Sequence, residues 1–174
     1  MRNVLWSFIL LCGLVTAAPQ AYAGEWAFGA KLAYFDFDDV DIDDPDNAGV
    51  LIGYDWDVKY GSIGIEADYT ADFVEGKLAG QDVEAETGGL YAVYRTRGPA
   101  TKGIGPYLKF KVGAAYNEFT VGKVSEDDTN FSAGIGLGIN MHAVSFELEL
   151  TTLGELEYAS FEDDVNLISF TVRF

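Results

Sequence analysis

Apolar and polar residues alternate through most of this sequence, and no other feature constrains its fold as strongly. The alternation occurs in segments of about ten residues, and its period of two gives each segment one apolar and one polar face. The eight segments are 26–34, 50–56, 63–73, 83–95, 108–117, 131–139, 144–151 and 168–174. In the fourth, Leu90 to Tyr94 is apolar on both faces, so its register stays open. The pattern predicts an all-β fold with eight strands.

The first 23 residues precede this pattern and have the features of a secretory signal peptide. Arg2 is followed by an apolar run over 4–15 and by Ala21-Tyr22-Ala23, an A-x-A cleavage site. A membrane-spanning helix needs about 20 residues, so the run is too short to be one. We expect residues 1–23 to be removed and residues 24–174 to form one domain. Cys12, the single cysteine, lies in the removed part, so neither disulfides nor thiol chemistry is expected.

The composition excludes several classes of protein. A formal net charge of −17 excludes a nucleic-acid-binding surface, which requires clustered Lys and Arg. With 49% hydrophobic and 14% aromatic residues, the chain is too apolar to be disordered. Beyond the signal peptide no apolar stretch is long enough for a membrane helix. If the chain enters a membrane, it must do so as a closed β-sheet, the other structure that satisfies every backbone hydrogen bond in lipid.

The alternation itself does not show whether the apolar face points inward or outward. A soluble lipocalin-type barrel has an apolar interior, and Gly24-Glu25-Trp26 matches the G-x-W opening of that class. In a membrane barrel the apolar face meets lipid, and aromatic girdles lie near the strand ends. Aromatic residues occur near the predicted strand ends at Trp26, Tyr34, Trp56, Tyr69, Tyr107, Tyr116 and Phe174. Their positions favour the membrane barrel.

Charged pairs follow soon after the start of the third, fifth and seventh segments, and therefore at one predicted depth. On the same face, the sixth segment carries Ser132, Gly134, Gly136 and Gly138, which leaves room for lysine side chains to cross it. Side chains just fill the interior of an eight-stranded barrel, and a charge buried there needs a partner. We predict a filled interior with a charge network formed by Lys31, Glu66, Asp68, Lys109, Lys111, Glu147, Glu149 and Arg173.

The connections between segments alternate in length. The long ones, 36–48, 74–82, 120–130 and 154–164, are polar, and 59–61 and 141–143 are short. The connection 96–105 should be short and is not. In the first long connection, Asp39, Asp41, Asp43 and Asp44 have the oxygen-rich spacing that Ca²⁺ prefers, without the central glycine and distal glutamate of an EF-hand loop. We predict no metal site; a solvated acidic loop and divalent cations that bridge the loops to lipopolysaccharide both stay open.

The chain ends in the alternating strand Ile168-Ser169-Phe170-Thr171-Val172-Arg173-Phe174. With the signal peptide, the eight segments and the charged interior, this ending resembles the outer-membrane barrel family of the OmpA transmembrane domain and OmpX. The resemblance covers 26–174 and implies an eight-stranded antiparallel up-and-down transmembrane β-barrel with long acidic extracellular loops. It implies a monomer in the outer membrane of a Gram-negative cell, in contact with lipid and lipopolysaccharide. It also implies that Phe170, Val172 and Phe174 form a signal for the barrel assembly machinery.

The inventory of catalytic groups is small. His142, the single histidine, falls in the short turn 141–143, close to Ser145, and we interpret it as a turn residue. Glu147 and Glu149 are paired carboxylates suited to acid/base chemistry, but the facing lysines give them a structural role. The sequence therefore predicts a non-enzymatic barrel with a structural or surface-interaction role and no cofactor. Two alternatives stay open, a small passive pore and a lipid-modifying outer-membrane enzyme.

Overall fold

The computed structural model describes residues 24–37, 46–74, 76–78, 81–99, 104–122, 124–158 and 161–174. The predicted signal peptide and the four aspartates of the first long connection lie outside these ranges. The described residues form nine β-strands. They are β1 (Gly24–Phe37), β2 (Asp46–Val58), β3 (Gly61–Val74), β4 (Gly76–Leu78), β5 (Gln81–Thr96), β6 (Ile104–Val121), β7 (Val124–Met141), β8 (Val144–Tyr158) and β9 (Phe161–Arg173). Within these ranges, no helix has the length and apolarity needed to cross a membrane.

Eight of these strands close into a barrel. Apart from β3 and β4, consecutive strands pair antiparallel; β3 pairs with β5, and β9 returns to pair with β1. The short β4 pairs with β5 alone and stands outside the ring. Phe28 and Phe174 extend the β1–β9 seam with two backbone hydrogen bonds of 2.8 Å. The eight-stranded antiparallel up-and-down barrel that the sequence predicts is confirmed.

The apolar face of the strands points outward. Large apolar side chains are exposed on strands around the wall, among them Trp26 (64%), Phe131 (70%) and Leu137 (61%). Lysines and glutamates at alternate positions are buried inside. A water-soluble barrel has the reverse arrangement, so this wall excludes the lipocalin-type alternative and fits a surrounding of lipid.

Two-residue turns join strands at one end of the barrel, here called the turn end. Lys59 and Tyr60 connect β2 to β3, and His142 and Ala143 connect β7 to β8. His142 adopts a left-handed conformation (φ 61°), as tight hairpin turns require at one or both central positions. At the opposite end, here called the loop end, β6–β7 and β8–β9 extend as long hairpins, and in outer-membrane barrels the end with the longer connections faces the medium.

At the loop end the strands are longer than the sequence analysis predicts. Most of 120–130 and 154–164 continues the antiparallel ladders, and β6 stays paired with β7 as far as Val121↔Val124. Backbone hydrogen bonds do not require apolar side chains, so a hairpin that passes from lipid into water stays paired while its outward residues become polar. Polar composition in these segments therefore marks a change of solvent and not the end of a strand.

The interior changes character along the barrel axis. Near the turn end it is charged, whereas near the loop end it holds a hydrophobic cluster whose members are at most 6% exposed. This cluster, here called the outer plug, consists of Ala33, Phe35, Ala85, Ala115, Phe119, Leu153, Val165 and Leu167. At a similar level the outward positions include Glu86, Glu118 and Asp127, which are direct cross-strand neighbours. The strands thus switch from a polar to an apolar inner face near the edge of the lipid-facing belt.

Candidate functional site

The candidate site is the charged interior of the turn-end half. Each charged residue occupies the polar phase of its strand, so the alternation that turns apolar residues to lipid directs the charges inward. The five cations are Lys31, Arg95, Lys109, Lys111 and Arg173, and the five anions are Asp55, Glu66, Asp68, Glu147 and Glu149. We call this set, which has no net formal charge, the interior charge network.

Lys109 lies at the centre of the network. Its Nζ is 2.6 Å from Glu66 Oε1, 2.8 Å from Glu149 Oε2 and 2.9 Å from Glu147 Oε2. Two of the ammonium donors form hydrogen bonds with Glu66 Oε1 and Glu147 Oε2, and Glu149 lies within ion-pair distance of the same group. The side chains of all four residues are at most 2% exposed, so water does not replace these contacts if one partner is lost.

Arg95 joins the same carboxylates from the turn end. Its Nε donates to Glu147 Oε1 at 3.0 Å, its Nη1 donates to Asp55 Oδ1 at 3.0 Å, and its Nη2 donates to Glu66. The planar guanidinium suits this task because its donors point in several fixed directions. Arg173 binds the other oxygen of Asp55 and so connects β9 to the network.

A second group of contacts lies beside Lys109. Lys31 Nζ is 2.6 Å from Asp68 Oδ2, and Lys111 Nζ is 2.6 Å from Glu149 Oε1. Lys111 Nζ also lies 3.9 Å from the centroid of the Tyr91 ring, a cation–π geometry. The network therefore extends from Asp55 to Lys111 with its charges in mutual contact.

Glycines on β7 make room for the lysines. A Cβ at Gly134 would lie 2.8 Å from Lys111 Cε, which is too close, whereas a Cβ at Gly136 would make an ordinary contact of 3.5 Å with Lys109 Cβ, so only a longer side chain would crowd that lysine. Lys109 and Lys111 are on β6, whereas Glu147 and Glu149 are on β8, so these ion pairs pass over β7. A larger side chain on the inner face of β7 would force the lysines aside.

The structure places the eight predicted interior residues on the inner face of the wall. Seven of them contact one another directly, and Arg173 joins through Asp55. Sequence reasoning missed Asp55 and Arg95. Asp55 could have been found, because it alternates with the outward Tyr54 and Trp56. Arg95 could not, because the fourth segment is apolar on both faces near it.

Tyr107 was predicted in an aromatic girdle, and that prediction is wrong. It faces the interior with 4% of its surface exposed, and its hydroxyl donates to Glu147 Oε1 at 2.7 Å. The reason is its phase, since Tyr107 is two residues from Lys109 on the same strand and therefore shares its face. Closeness to a strand end does not by itself assign an aromatic residue to the lipid interface.

A cavity of about 340 Å³ opens at the turn end, and His142 and Ser145 both contribute to its lining. The Ser145 hydroxyl donates to Asn140 Oδ1 at 2.8 Å. It is thus engaged by an amide and not activated by a base, as a nucleophile requires. Among the described residues, no group of three or more His, Cys, Asp or Glu side chains is placed to hold a metal ion.

Comparison with known proteins agrees with this geometry. The sequence model of the family described as "Outer membrane protein beta-barrel domain" matches residues 7–174. No curated protein matches the sequence.

Solved structures share the fold at low sequence identity. The Neisserial surface protein A (NspA) is similar with a TM-score of 0.57 and 12% identity, over 87% of this chain and 97% of that one. The outer membrane enzyme PagL is similar with a TM-score of 0.54 and 17% identity, over 85% of this chain and 98% of that one. Ail, the attachment invasion locus protein of Yersinia pestis, is similar with a TM-score of 0.51 and 15% identity, over 87% of this chain and 97% of that one. At these identities the likeness concerns the fold alone.

Proposed function

Because the chain belongs to the outer membrane protein β-barrel domain family, we propose that it is a closed, non-enzymatic barrel with a structural and surface-contact role. Members of this family are barrels of the Gram-negative outer membrane, and this protein lies in that membrane. In the proposed role, the turn-end half provides a stable lipid-embedded body. The acidic loop end contacts lipopolysaccharide and the medium.

The observation that carries the closed state is the environment of Lys109. Its ammonium group and the three carboxylates around it fill the centre of the interior and are at most 2% exposed. An ion that crossed this layer would have to separate buried pairs, each of which costs several kcal/mol to break. The formal neutrality of the network also leaves no excess charge to attract a permeant ion of either sign. These features favour a structural barrel over the passive pore.

The enzymatic alternative has less support in the described residues. PagL shows that this fold can carry an outer membrane enzyme. In this chain, however, the Ser145 hydroxyl donates to Asn140, and the inward carboxylates Glu147 and Glu149 are neutralised by lysines. A lipid-modifying activity would change the mass of lipid A when the protein is overexpressed. We expect an unchanged lipid A mass.

The proposed contact with lipopolysaccharide rests on the carboxylates just beyond the lipid-facing belt. Glu86, Glu118 and Asp127 lie side by side on three neighbouring strands, and like charges in direct cross-strand positions repel. The hydroxyls of Tyr69 and Tyr116 donate to Glu86 and Glu118, at 2.6 Å and 3.2 Å. Divalent cations shared with lipopolysaccharide phosphates would neutralise this row.

Conductance tests the closed state directly. Purified protein is inserted into a planar lipid bilayer, with a water-filled porin as the positive control. The proposal predicts no step increases in current above the bare-bilayer baseline. Sustained, reproducible steps from the unsubstituted protein would overturn it in favour of the passive pore.

A further inference from the structure

The outer plug lies between the charge network and the medium. On β1, Phe35 is four residues closer to the loop end than Lys31, and on β6, Phe119 is eight residues closer than Lys111. At about 3.3 Å per residue, these offsets put the plug well above the ionic layer. Phe35, Val165 and Ala85 are 0% exposed and Leu153 is 1% exposed, so the plug is as dry as a protein core.

The plug closes a region where the barrel wall is incomplete. Pairing of β7 with β8 stops at Ala133↔Thr152, and pairing of β3 with β5 stops at Ala71↔Glu86. Beyond these points β6–β7 and β8–β9 continue as separate hairpins. Without side chains between them, water would have two openings into the interior, the second a short one because β4 resumes the pairing with β5 at Gly76↔Val83.

Inward side chains bridge both openings. Asn117 Nδ2 donates to the Leu153 carbonyl at 3.4 Å, and Asn47 Nδ2 donates to the Ala85 carbonyl at 2.6 Å. Leu153 and Ala85 are the first residues past the ends of the two ladders, so each amide replaces a lost backbone partner. The Phe35 and Phe119 rings meet between the two sides with centroids 5.6 Å apart and planes at 81°.

From this arrangement we infer that the barrel has a second permeability barrier, formed by the outer plug and independent of the interior charge network. An apolar constriction excludes ions because it offers nothing to replace their water, and hydrophobic constrictions gate channels in this way. The charge network closes the barrel by mutual neutralisation, whereas the plug closes it by dehydration. The inference rests on the proposed closed state and adds that the plug alone shields the interior from the medium.

Accessibility from outside the cell tests the plug. Ser169 is buried at 2% exposure, and its hydroxyl has no hydrogen-bond partner, so Ser169→Cys provides a thiol at little cost. Ser169 is two residues closer to the turn end than Leu167, on the inner face of β9. Intact cells of a porin-deficient strain are treated with a small, charged, membrane-impermeant methanethiosulfonate, and labelling is read by mass. The protein without this substitution controls for Cys12.

Ser169→Cys alone should stay unlabelled. Adding Phe35→Ala and Phe119→Ala should raise its labelling rate about tenfold or more, because the apolar constriction becomes wide enough to hydrate. The matched control, Phe110→Ala with Phe131→Ala, removes the same groups from the lipid-facing side and should leave the thiol protected. Adding Lys109→Met instead should also leave it protected from the outside.

Two results would overturn the inference: labelling of Ser169→Cys with the plug intact, or equal labelling with the Lys109→Met and double-phenylalanine variants. Conductance of the unsubstituted protein separates this failure from failure of the proposed function, since a silent barrel with a labelled thiol refutes only the second barrier. Heat-modifiable migration on gels verifies folding. If the double-phenylalanine variant does not fold, Leu153→Ala with Leu167→Ala takes its place under the same criteria.

Discussion

Lys109→Met should destabilise the barrel by about 3–5 kcal/mol, the usual cost of removing one partner of a buried ion pair. The size of this loss follows from the contacts that remain after the substitution. Glu66 and Glu147 keep Arg95, and Glu149 keeps Lys111, but the network retains one uncompensated negative charge in a space that water does not enter. Methionine has a similar length, so the change removes charge with little change in volume.

An exposed pair with similar geometry gives the control. Arg97 Nη2 lies 2.7 Å from Asp57 Oδ1, close to the 2.6 Å between Lys109 Nζ and Glu66 Oε1, but the side chains of Arg97 and Asp57 are 58% and 71% exposed. Exposed pairs contribute between 0 and about 1 kcal/mol, so Arg97→Met should cost no more than that. Burial, and not distance, decides the difference between the two substitutions.

Urea unfolding in detergent micelles, followed by Trp fluorescence and by heat-modifiable migration, measures both free energies. Adding Glu147→Gln to Lys109→Met restores the balance of charge. The double variant should therefore be more stable than the sum of the single effects predicts, by about 1 kcal/mol or more. The reasoning is refuted if Lys109→Met costs no more than Arg97→Met, or if the two network substitutions are additive.

Three further expectations concern the wall and its surface. Gly134→Val should lower the free energy of unfolding by about 1–3 kcal/mol in the same assay, because the new side chain meets Lys111. Ala133→Val faces outward and should be nearly neutral. Equal effects of the two substitutions would show that the glycine is not needed to make room for the lysine. Deleting Phe174 removes two seam hydrogen bonds and a lipid-facing ring, so insertion into vesicles should slow more than folding in detergent, and equal slowing in both would count against a role in insertion. Mg²⁺ should raise the unfolding temperature in lipopolysaccharide-containing vesicles, and less so when Glu86, Glu118 and Asp127 are made amides; an unchanged response would exclude the cation bridge.

The alternation predicted most of the lipid-embedded half because lipid imposes one rule on every strand. Trp26 and Leu137 must face outward there, and that fixes Lys31 and Gly136 on the inside. The same rule does not apply at the loop end. Phe119 occupies the inner phase of β6, and outward positions near it are polar, since water surrounds this part of the barrel.

Other features depend on three-dimensional contacts that spacing does not encode. Around Phe119 the inner face of β6 becomes apolar and the outer face becomes polar. Alternation with a period of two does not predict this exchange of faces if one solvent is assumed for the whole strand. The amides of Asn117 and Asn47 could not be assigned to carbonyl partners, because those partners depend on where neighbouring ladders stop. The inward position of Tyr107 could have been predicted, because Tyr107 is two residues from Lys109 on the same strand. The prediction relied instead on its closeness to a strand end.

The way the ion pairs connect the strands has a consequence for assembly. Apart from Arg95 with Glu66, the network's ion pairs join strands that are not hydrogen-bonded neighbours, such as β1 with β3 and β6 with β8. A sheet that has not yet curled shut would therefore carry charges without counterions toward the membrane. Partly closed intermediates are penalised and the finished ring is favoured, and closure of the β1–β9 seam brings together the ion pairs that span it, Lys31 with Glu149 and Arg173 with Asp55.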